Sequence, residues 1–348
     1  MTEKIHHRVL WADYAKFIAI YFVVLGHSDL PCGNFRNFIY LFHLPLFFLI
    51  SGYFDNSLKY TFKSFLIRNL KLLIVPYICF NILCIPFSWT SVYMHPELYP
   101  GIDSMEGYLL NPLCGIILGD DRVTSFSYLP CGPLWFLIAL FIMKFCFYHL
   151  CKLEGIVKYR LLYWCILIVL FPILFMYIGK RMTIYSLDST LLAIPFYIIG
   201  YLMKKISFPP IQFDSKFIEL ILSVGIIFYI LLVGLDNGYV DINGGVYGYS
   251  LIMFYLNGVL ASYLVLLLCT KLTKTIKLFQ YIGANTIIIL GVHLITIRMC
   301  KFFMVYVFDV PVESFTVFHS IAISIFALIS CYPFIVWINK FTPWMIGK

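Results

Sequence analysis

The chain has 348 residues, of which 62% are hydrophobic and only 12% are charged, and its formal net charge is +8. A soluble domain carries about 25% charged residues, so this composition excludes a water-soluble domain, a disordered chain and a disulfide scaffold. A mean hydropathy of +0.92 indicates an integral membrane protein whose partner is the lipid bilayer. The positive charge does not indicate a nucleic-acid partner, because the basic residues lie in short loops between apolar segments.

Ten apolar segments are long enough to cross a membrane, since a transmembrane helix needs about 20 mostly apolar residues. The first segment contains Asp13, Lys16 and His27, and we interpret it as a retained span because a signal peptide has an uninterrupted apolar core. The sequence therefore predicts an all-α, polytopic helical bundle of about ten transmembrane helices, in a single domain over residues 1–348. The predicted spans are 11–30, 35–54, 72–89, 133–150, 161–178, 189–203, 217–235, 246–269, 281–297 and 315–338.

The lysines and arginines are distributed unevenly between the two sets of connections. Seventeen of the 25 fall on the set that includes both termini, and six fall on the other set. Because cytoplasmic loops carry an excess of Lys and Arg, we expect both termini to be cytoplasmic. We expect the protein to be a multi-pass component of the cell membrane.

The first span contains three ionisable side chains that are expensive to place in a membrane. Lys16 and His27 are eleven residues apart, about three helical turns, so they point the same way. Asp13 precedes Lys16 by one turn and can pair with it. The structural interpretation is a salt bridge plus an interfacial histidine. The functional interpretation is a polar stripe that faces a cavity.

Other polar residues lie at depth in later spans. His43 and Ser51 are on the second span, Trp135 opens the fourth, and Asn285 and His293 are on the ninth. A lone buried histidine is more often a packing group than a catalyst, and Trp135 alone is typical of the interfacial aromatic belt. These five residues are candidates for the lining of a cavity.

Arg68 and Lys71 lie one turn apart on the inner side of the third span. Positive-inside anchoring explains most such pairs. The functional alternative is a clamp for a phosphate-bearing cytosolic ligand. The eleven cysteines include no CxxC pair and no His/Cys cluster at metal spacing, so we expect no metal.

Three functions fit these residues. The first is acyl transfer, in which a histidine is the general base on an acceptor hydroxyl and the donor is a phosphate-rich thioester. The second is a proton-coupled transporter of a small polar solute, in which Asp, Lys and His form a relay. The third is a purely structural subunit. The spacing alone does not rank the first two.

The segment from Trp11 through Lys16 to Gly26-His27 resembles the opening of the membrane-bound acyltransferase-3 family, whose signature is a basic residue, ten intervening residues and a histidine. A further segment is similar to the sugar O-acetyltransferase branch around fucose 4-O-acetylase, namely Tyr247-Gly248 through Tyr255-Leu256-Asn257. The remaining family motifs occur in order as Phe42-His43 to Gly52-Tyr53, Arg68-x-x-Lys71 with Pro76-Tyr77, Gly132-Pro133-Leu134-Trp135, and Gly283-x-Asn285-Thr286 with His293.

The resemblance implies transfer of an acetyl group from cytosolic acetyl-CoA to a hydroxyl of a cell-surface glycan or its lipid-linked precursor. It implies that His27 is the essential histidine and Lys16 its basic partner, and that Arg68 and Lys71 serve the donor. We expect Asp13 and Lys16 to maintain helix register and local charge. Lysine at positions 16 and 71, where the family commonly has arginine, keeps the charge but loses the bidentate fork.

From this interpretation we expect His27 to take the proton of the acceptor hydroxyl. His43, Asn285 or His293 is expected to donate a hydrogen bond to the tetrahedral oxyanion. Ser51 and Trp135 are expected to line the same cavity.

Overall fold

The computed structural model describes residues 9–94, 102, 104–119, 123–124, 127–178, 184–206, 216–311 and 314–348. Nearly all of these residues are helical, as expected where lipid offers no partner for backbone N–H and C=O groups. The helices are α1 (Leu10–Gly26), α2 (Asn34–Tyr53), α3 (Phe62–Asn69), α4 (Val75–Met94), α5 (Met105–Leu118), α6 (Trp135–Glu154), α7 (Arg160–Ile178), α8 (Leu187–Lys205), α9 (Lys216–Leu232), α10 (Leu251–Lys271), α11 (Lys277–Ala284), α12 (Thr286–Tyr306), α13 (Val317–Ser330) and α14 (Tyr332–Phe341).

The remaining regular structure is short. Two strands, β1 (Val240–Asp241) and β2 (Val246–Tyr247), pair antiparallel as a hairpin between α9 and α10. A π-helical turn, Leu70–Ile74, joins α3 to α4 without a break. The 3₁₀ turns are Ser57–Lys59, Gly132–Leu134, Ile184–Ser186, Gly234–Asn237 and Pro343–Ile346.

The all-α polytopic bundle predicted from the sequence is confirmed. Within the described residues, nine helical segments are long and apolar enough to cross a membrane, and they correspond to the second through tenth predicted spans. The first predicted span is α1, which has 17 residues and includes Asp13 and Lys16. It is nevertheless the centre of the bundle, in contact with α2, α10, α11, α12 and α13.

Several boundaries differ from the prediction. The connection 90–132, in which no helix was predicted, contains α5. The ninth span is interrupted at Asn285, between α11 and α12. The eighth starts at Leu251 rather than 246, because the hairpin precedes it. Gly245 and Gly248 have φ angles of +63° and +75°, a conformation that favours glycine and turns the chain there.

Helices α2 and α8 pack closely against each other. A Cβ on Gly52 would lie 1.9 Å from the Tyr197 carbonyl oxygen, and one on Gly200 would lie 2.0 Å from the Leu49 carbonyl oxygen. These reciprocal glycines let the two backbones touch, which is how small residues drive helix association in a membrane. The contact fixes α2, and with it the polar residues α2 carries.

Candidate active site

A cavity of about 720 Å³ runs through the bundle beside α1. One end, here called the Lys16 end, is lined by Asp13, Lys16 and Lys348, and the other, the His27 end, is lined by His27 and Tyr40. Lys16 and His27 are separated by about 16 Å along the helix axis, at 1.5 Å per residue. The walls between the two ends are mostly apolar and include Ile20, Val23, Leu44, Phe47, Ile50, Leu73, Phe136, Leu140 and Ile288.

Most of the residues that the sequence singled out meet at this cavity. His293 lies outside the lining but against His27, and Arg68 and Lys71 lie outside the lining as well. The seven predicted site residues that line the cavity are Asp13, Lys16, His27, His43, Ser51, Trp135 and Asn285.

The Lys16 end contains the ion pair that the spacing predicted. Lys16 Nζ donates to Asp13 Oδ1 at 3.3 Å, and the Asp13 side chain is buried. Gly283 of α11 packs against the same turn of α1, since a Cβ there would lie 2.0 Å from the Asp13 carbonyl oxygen. The start of α12 is therefore held level with Asp13 and Lys16.

Asn285 belongs to this same end. Its Oδ1 accepts from Asn339 Nδ2 at 2.8 Å, and Asn339 Oδ1 accepts from Lys348 Nζ at 3.0 Å. Through Asn339, Asn285 thus connects Lys348 to the bundle. Lys348 is the second lysine in the cavity lining. Asn285 is level with Asp13, fourteen residues before His27. An oxyanion role for Asn285 stays a prediction.

The His27 end brings three imidazoles together. His27 follows the last residue of α1, and its exposed ring faces the cavity. The ring of buried His293 lies 5.3 Å from it, centroid to centroid. His43 lines the cavity on α2, and its ring lies 5.0 Å from the ring of Tyr40.

Backbone carbonyls determine the tautomers of two of these rings. His43 Nδ1 lies 2.8 Å from the Ile39 carbonyl oxygen, and His293 Nδ1 lies 2.9 Å from that of Leu290. Because a carbonyl only accepts, Nδ1 must be the protonated nitrogen in both rings. In the neutral form Nε2 then has a lone pair and no proton. Neutral His43 and His293 are therefore acceptors toward the site, and the oxyanion donation expected of them requires a protonated ring.

His293 has one further feature. Its Nε2 is buried and has no hydrogen-bond partner among the described residues. At a centroid separation of 5.3 Å, the two rings are close enough for a nitrogen of each to form a hydrogen bond if the His27 ring turns. The arrangement can fix the orientation of His27, as a second group orients the histidine in many catalytic sites.

Arg68 and Lys71 are both exposed. The Arg68 guanidinium donates to the Tyr60 hydroxyl and lies 4.9 Å from the Tyr60 ring centroid. Lys71 is in the π-helical turn, and its carbonyl oxygen would lie 2.4 Å from a Cβ on Gly347. Lys71 therefore adjoins the end of the chain that lines the cavity. A donor-binding role for this pair stays a prediction.

Sequence reasoning missed several lining residues, including three that are polar or charged. Lys348 is the last residue of the chain, and Asp241 and Asn243 lie in the hairpin. The glycines at 244, 245 and 248 signal a turn in the sequence, but no local pattern brings that turn to α1.

The fold and the site together define a polytopic membrane protein with polar chemistry inside its helical bundle. Residues 9–344 match the model of the acyltransferase-3 family, described as an acyltransferase domain, so the chain belongs to that family and is an integral membrane acyltransferase. Comparison with curated proteins gives no match, and comparison with solved structures gives none either.

Proposed function

We propose that this protein is a membrane O-acyltransferase that moves an acetyl group from cytosolic acetyl-CoA to a hydroxyl of a cell-surface glycan or its lipid-linked precursor. The observation that carries the proposal is that one cavity leads from the lysines at one end to His27 at the other. It gives an activated acyl group a sheltered route to a candidate base.

The Lys16 end suits the donor. Lys16 and Lys348 line it, and Arg68 and Lys71 add positive charge on the adjoining surface. Lysines and arginines are the groups that bind phosphate oxygens. The apolar walls suit the uncharged arm that carries the thioester. The excess of basic residues on this side makes it cytosolic in our interpretation, which is where acetyl-CoA is available.

His27 performs the chemistry. Its unprotonated nitrogen takes the proton from the acceptor hydroxyl while the oxygen attacks the thioester carbonyl carbon. The tetrahedral intermediate then collapses, the carbon–sulfur bond breaks, and the imidazolium returns the proton to the leaving thiolate. The products are an ester and free CoA thiol, so atoms and protons balance without any other reactant.

His293 orients His27 for this step. Its Nε2 lone pair accepts the N–H of His27, and the second nitrogen of His27 is left facing the cavity as the base. The two backbone carbonyls at Nδ1 hold the His293 ring in the required tautomer. His293 is thus a positioning residue, and it acts on the acceptor only through His27.

The test is release of free thiol from acetyl-CoA by the purified protein, dependent on an added glycan acceptor. His27→Ala is expected to lower transfer by about 10²- to 10⁴-fold, with an unchanged size-exclusion profile. His149→Ala is the matched control, since His149 is exposed and outside the cavity lining. Full activity of the His27 variant rejects the general-base assignment.

The same assay separates the enzyme from the alternative function. A cavity lined by Asp13, Lys16 and His27 also suits a proton-coupled transporter of a small polar solute. A transporter moves solute across a vesicle membrane and releases no thiol. Solute uptake without acceptor-dependent thiol release would favour the transporter.

A further inference from the structure

The β1–β2 hairpin lies at the His27 end of the cavity, and the general-base mechanism assigns it no role. Asp241 and Asn243 of this hairpin line the cavity, as do His27 and Tyr40. The hairpin thus brings a carboxylate and an amide to the place where the acceptor hydroxyl must lie.

A cluster of aromatic rings around one cation holds the hairpin in place. The Arg36 guanidinium carbon lies 4.7 Å from the Tyr239 ring centroid and 5.5 Å from that of Tyr40. The two rings are 5.2 Å apart. Tyr40 in turn donates to the Gly26 carbonyl oxygen, just before His27, at 3.4 Å. Cation–π contacts of this kind contribute about 0.5–1 kcal/mol at exposed sites and more when desolvated. The cluster therefore stabilises the position of the hairpin, and of Asp241, beside His27.

Asp241 keeps acceptor capacity for a ligand. Its Oδ1 accepts from the backbone N–H of Asn243 at 3.1 Å, and the Gly244 backbone N–H also donates to the carboxylate. An ionised carboxylate has about four lone-pair sites, so these two bonds leave capacity on the cavity side. Burial raises the pKa of the Asp241 carboxyl, as expected for a carboxylate held away from bulk water.

The carboxylate at the His27 end favours neutral, hydroxyl-bearing ligands over phosphates. A carboxylate accepts hydrogen bonds from hydroxyl groups and repels phosphate. Lysines line the opposite end, where the phosphates of the donor are expected. The two ends of one cavity are therefore complementary to different molecules, and the His27 end suits a neutral molecule rich in hydroxyl groups.

We propose that Asp241 selects the acceptor: it binds a hydroxyl of a sugar ring next to the hydroxyl that His27 deprotonates. The sugar enters from the membrane face opposite the Lys16 end, and Arg36, Tyr239 and Tyr40 hold the hairpin that presents Asp241. This inference rests on the proposed function, because it assumes that the hydroxyl is acylated at His27.

The experiment measures Michaelis constants for both substrates in the detergent-purified full-length protein. The acceptors are a panel of methyl hexosides and methyl 6-deoxyhexosides, and the donor is acetyl-CoA. Asp241→Asn is expected to raise the acceptor KM by about ten- to a hundredfold, the effect of losing a hydrogen bond to a charged group. The KM for acetyl-CoA stays unchanged. An unchanged acceptor KM, or an equal rise for both substrates, overturns the proposal.

Asp236→Asn is the matched control, because Asp236 is exposed in the same connection and lies outside the cavity lining. Its acceptor KM is expected to equal that of the wild type. Asp241→Glu keeps the carboxylate and displaces it, and is expected to change which methyl glycoside is preferred. Equal melting temperatures of the variants exclude unfolding as the cause of a raised acceptor KM. If Asp241→Glu has a lower melting temperature but an unchanged sugar preference, the proposal is contradicted.

Sugar binding without acetyl-CoA separates this inference from the proposed function. Protection of the wild type, but not of Asp241→Asn, against thermal unfolding by a methyl glycoside supports the subsite even if no thiol is released. Thiol release with equal sugar protection of both proteins supports the acyltransferase and rejects the subsite.

Discussion

His27 and His293 face each other at the edge of the cavity, with ring centroids 5.3 Å apart. One belongs to the end of α1 and the other to the middle of α12, and 266 positions separate them in the chain. His27 is open to the cavity, whereas His293 is buried behind it with Nδ1 bonded to backbone carbonyls. In the proposed mechanism His27 is therefore the ring that reacts, and His293 is the ring that orients it.

Removal of the His293 side chain is expected to lower kcat without changing the KM for either substrate. His293→Leu deletes the acceptor at Nε2 and is expected to reduce kcat about tenfold, the rate equivalent of one net hydrogen bond of about 1.4 kcal/mol. His293→Gln supplies an amide oxygen as a hydrogen-bond acceptor in the same place and is expected to recover part of the lost kcat. Steady-state kinetics of the three proteins provide the check. An unchanged kcat in the leucine variant contradicts the positioning role.

Arg68→Ala and Lys71→Ala are each expected to raise the KM for acetyl-CoA about two- to fivefold, with little change in kcat. The effect is modest because both side chains are exposed, and exposed ion pairs contribute about 0.2–1 kcal/mol. Acetyl-pantetheine, which lacks the nucleotide phosphates, is expected to show no such change. Lys63→Ala is the control, since Lys63 is exposed on the same helix. If the KM rises equally for acetyl-CoA and acetyl-pantetheine, Arg68 and Lys71 do not bind the nucleotide phosphates.

Gly283→Ala is expected to destabilise the protein and impair activity together. The added Cβ would lie 2.0 Å from the Asp13 carbonyl oxygen, so α11 must move away from α1 at the Lys16 end. Overpacking of this kind costs about 1–3 kcal/mol. Gly225→Ala on α9 is the control, because nothing lies within 4 Å of its Cβ, and it is expected to stabilise by about 1 kcal/mol. Thermal unfolding of both variants in one detergent decides the outcome.

The acceptor KM is expected to depend on the charge of Asp241. Burial raises the pKa of this carboxyl. As the pH falls, it therefore protonates at a higher pH than an exposed aspartate, and the acceptor KM rises. Arg36 opposes the rise in pKa from α2. Other titratable groups at this end are Tyr40, Tyr239, His27, His43 and His293. Asp241→Asn removes this inflection from the acceptor KM. A pH profile of the acceptor KM that is the same in both proteins refutes the assignment.

Properties that reside within one helix could be predicted from the sequence. Ten apolar segments specify a helical membrane bundle, because the backbone in lipid must satisfy its own hydrogen bonds. The pairing of Asp13 with Lys16, and their shared face with His27, follow from 3.6 residues per turn. These predictions needed no knowledge of any neighbouring helix.

Which helices contact one another could be learned only from the tertiary structure. Hydropathy does not rank the possible neighbours of a helix, because lipid is as apolar as the side chains of another helix. The neighbours follow instead from close backbone contacts such as those at Gly52 and Gly283. Those contacts assigned Asn285 to the Lys16 end and His293 to His27. Packing across the bundle likewise places Asp241 at the same cavity. Because Asp241 lies in a hairpin and not in a helix, no helical periodicity in the sequence predicts that position.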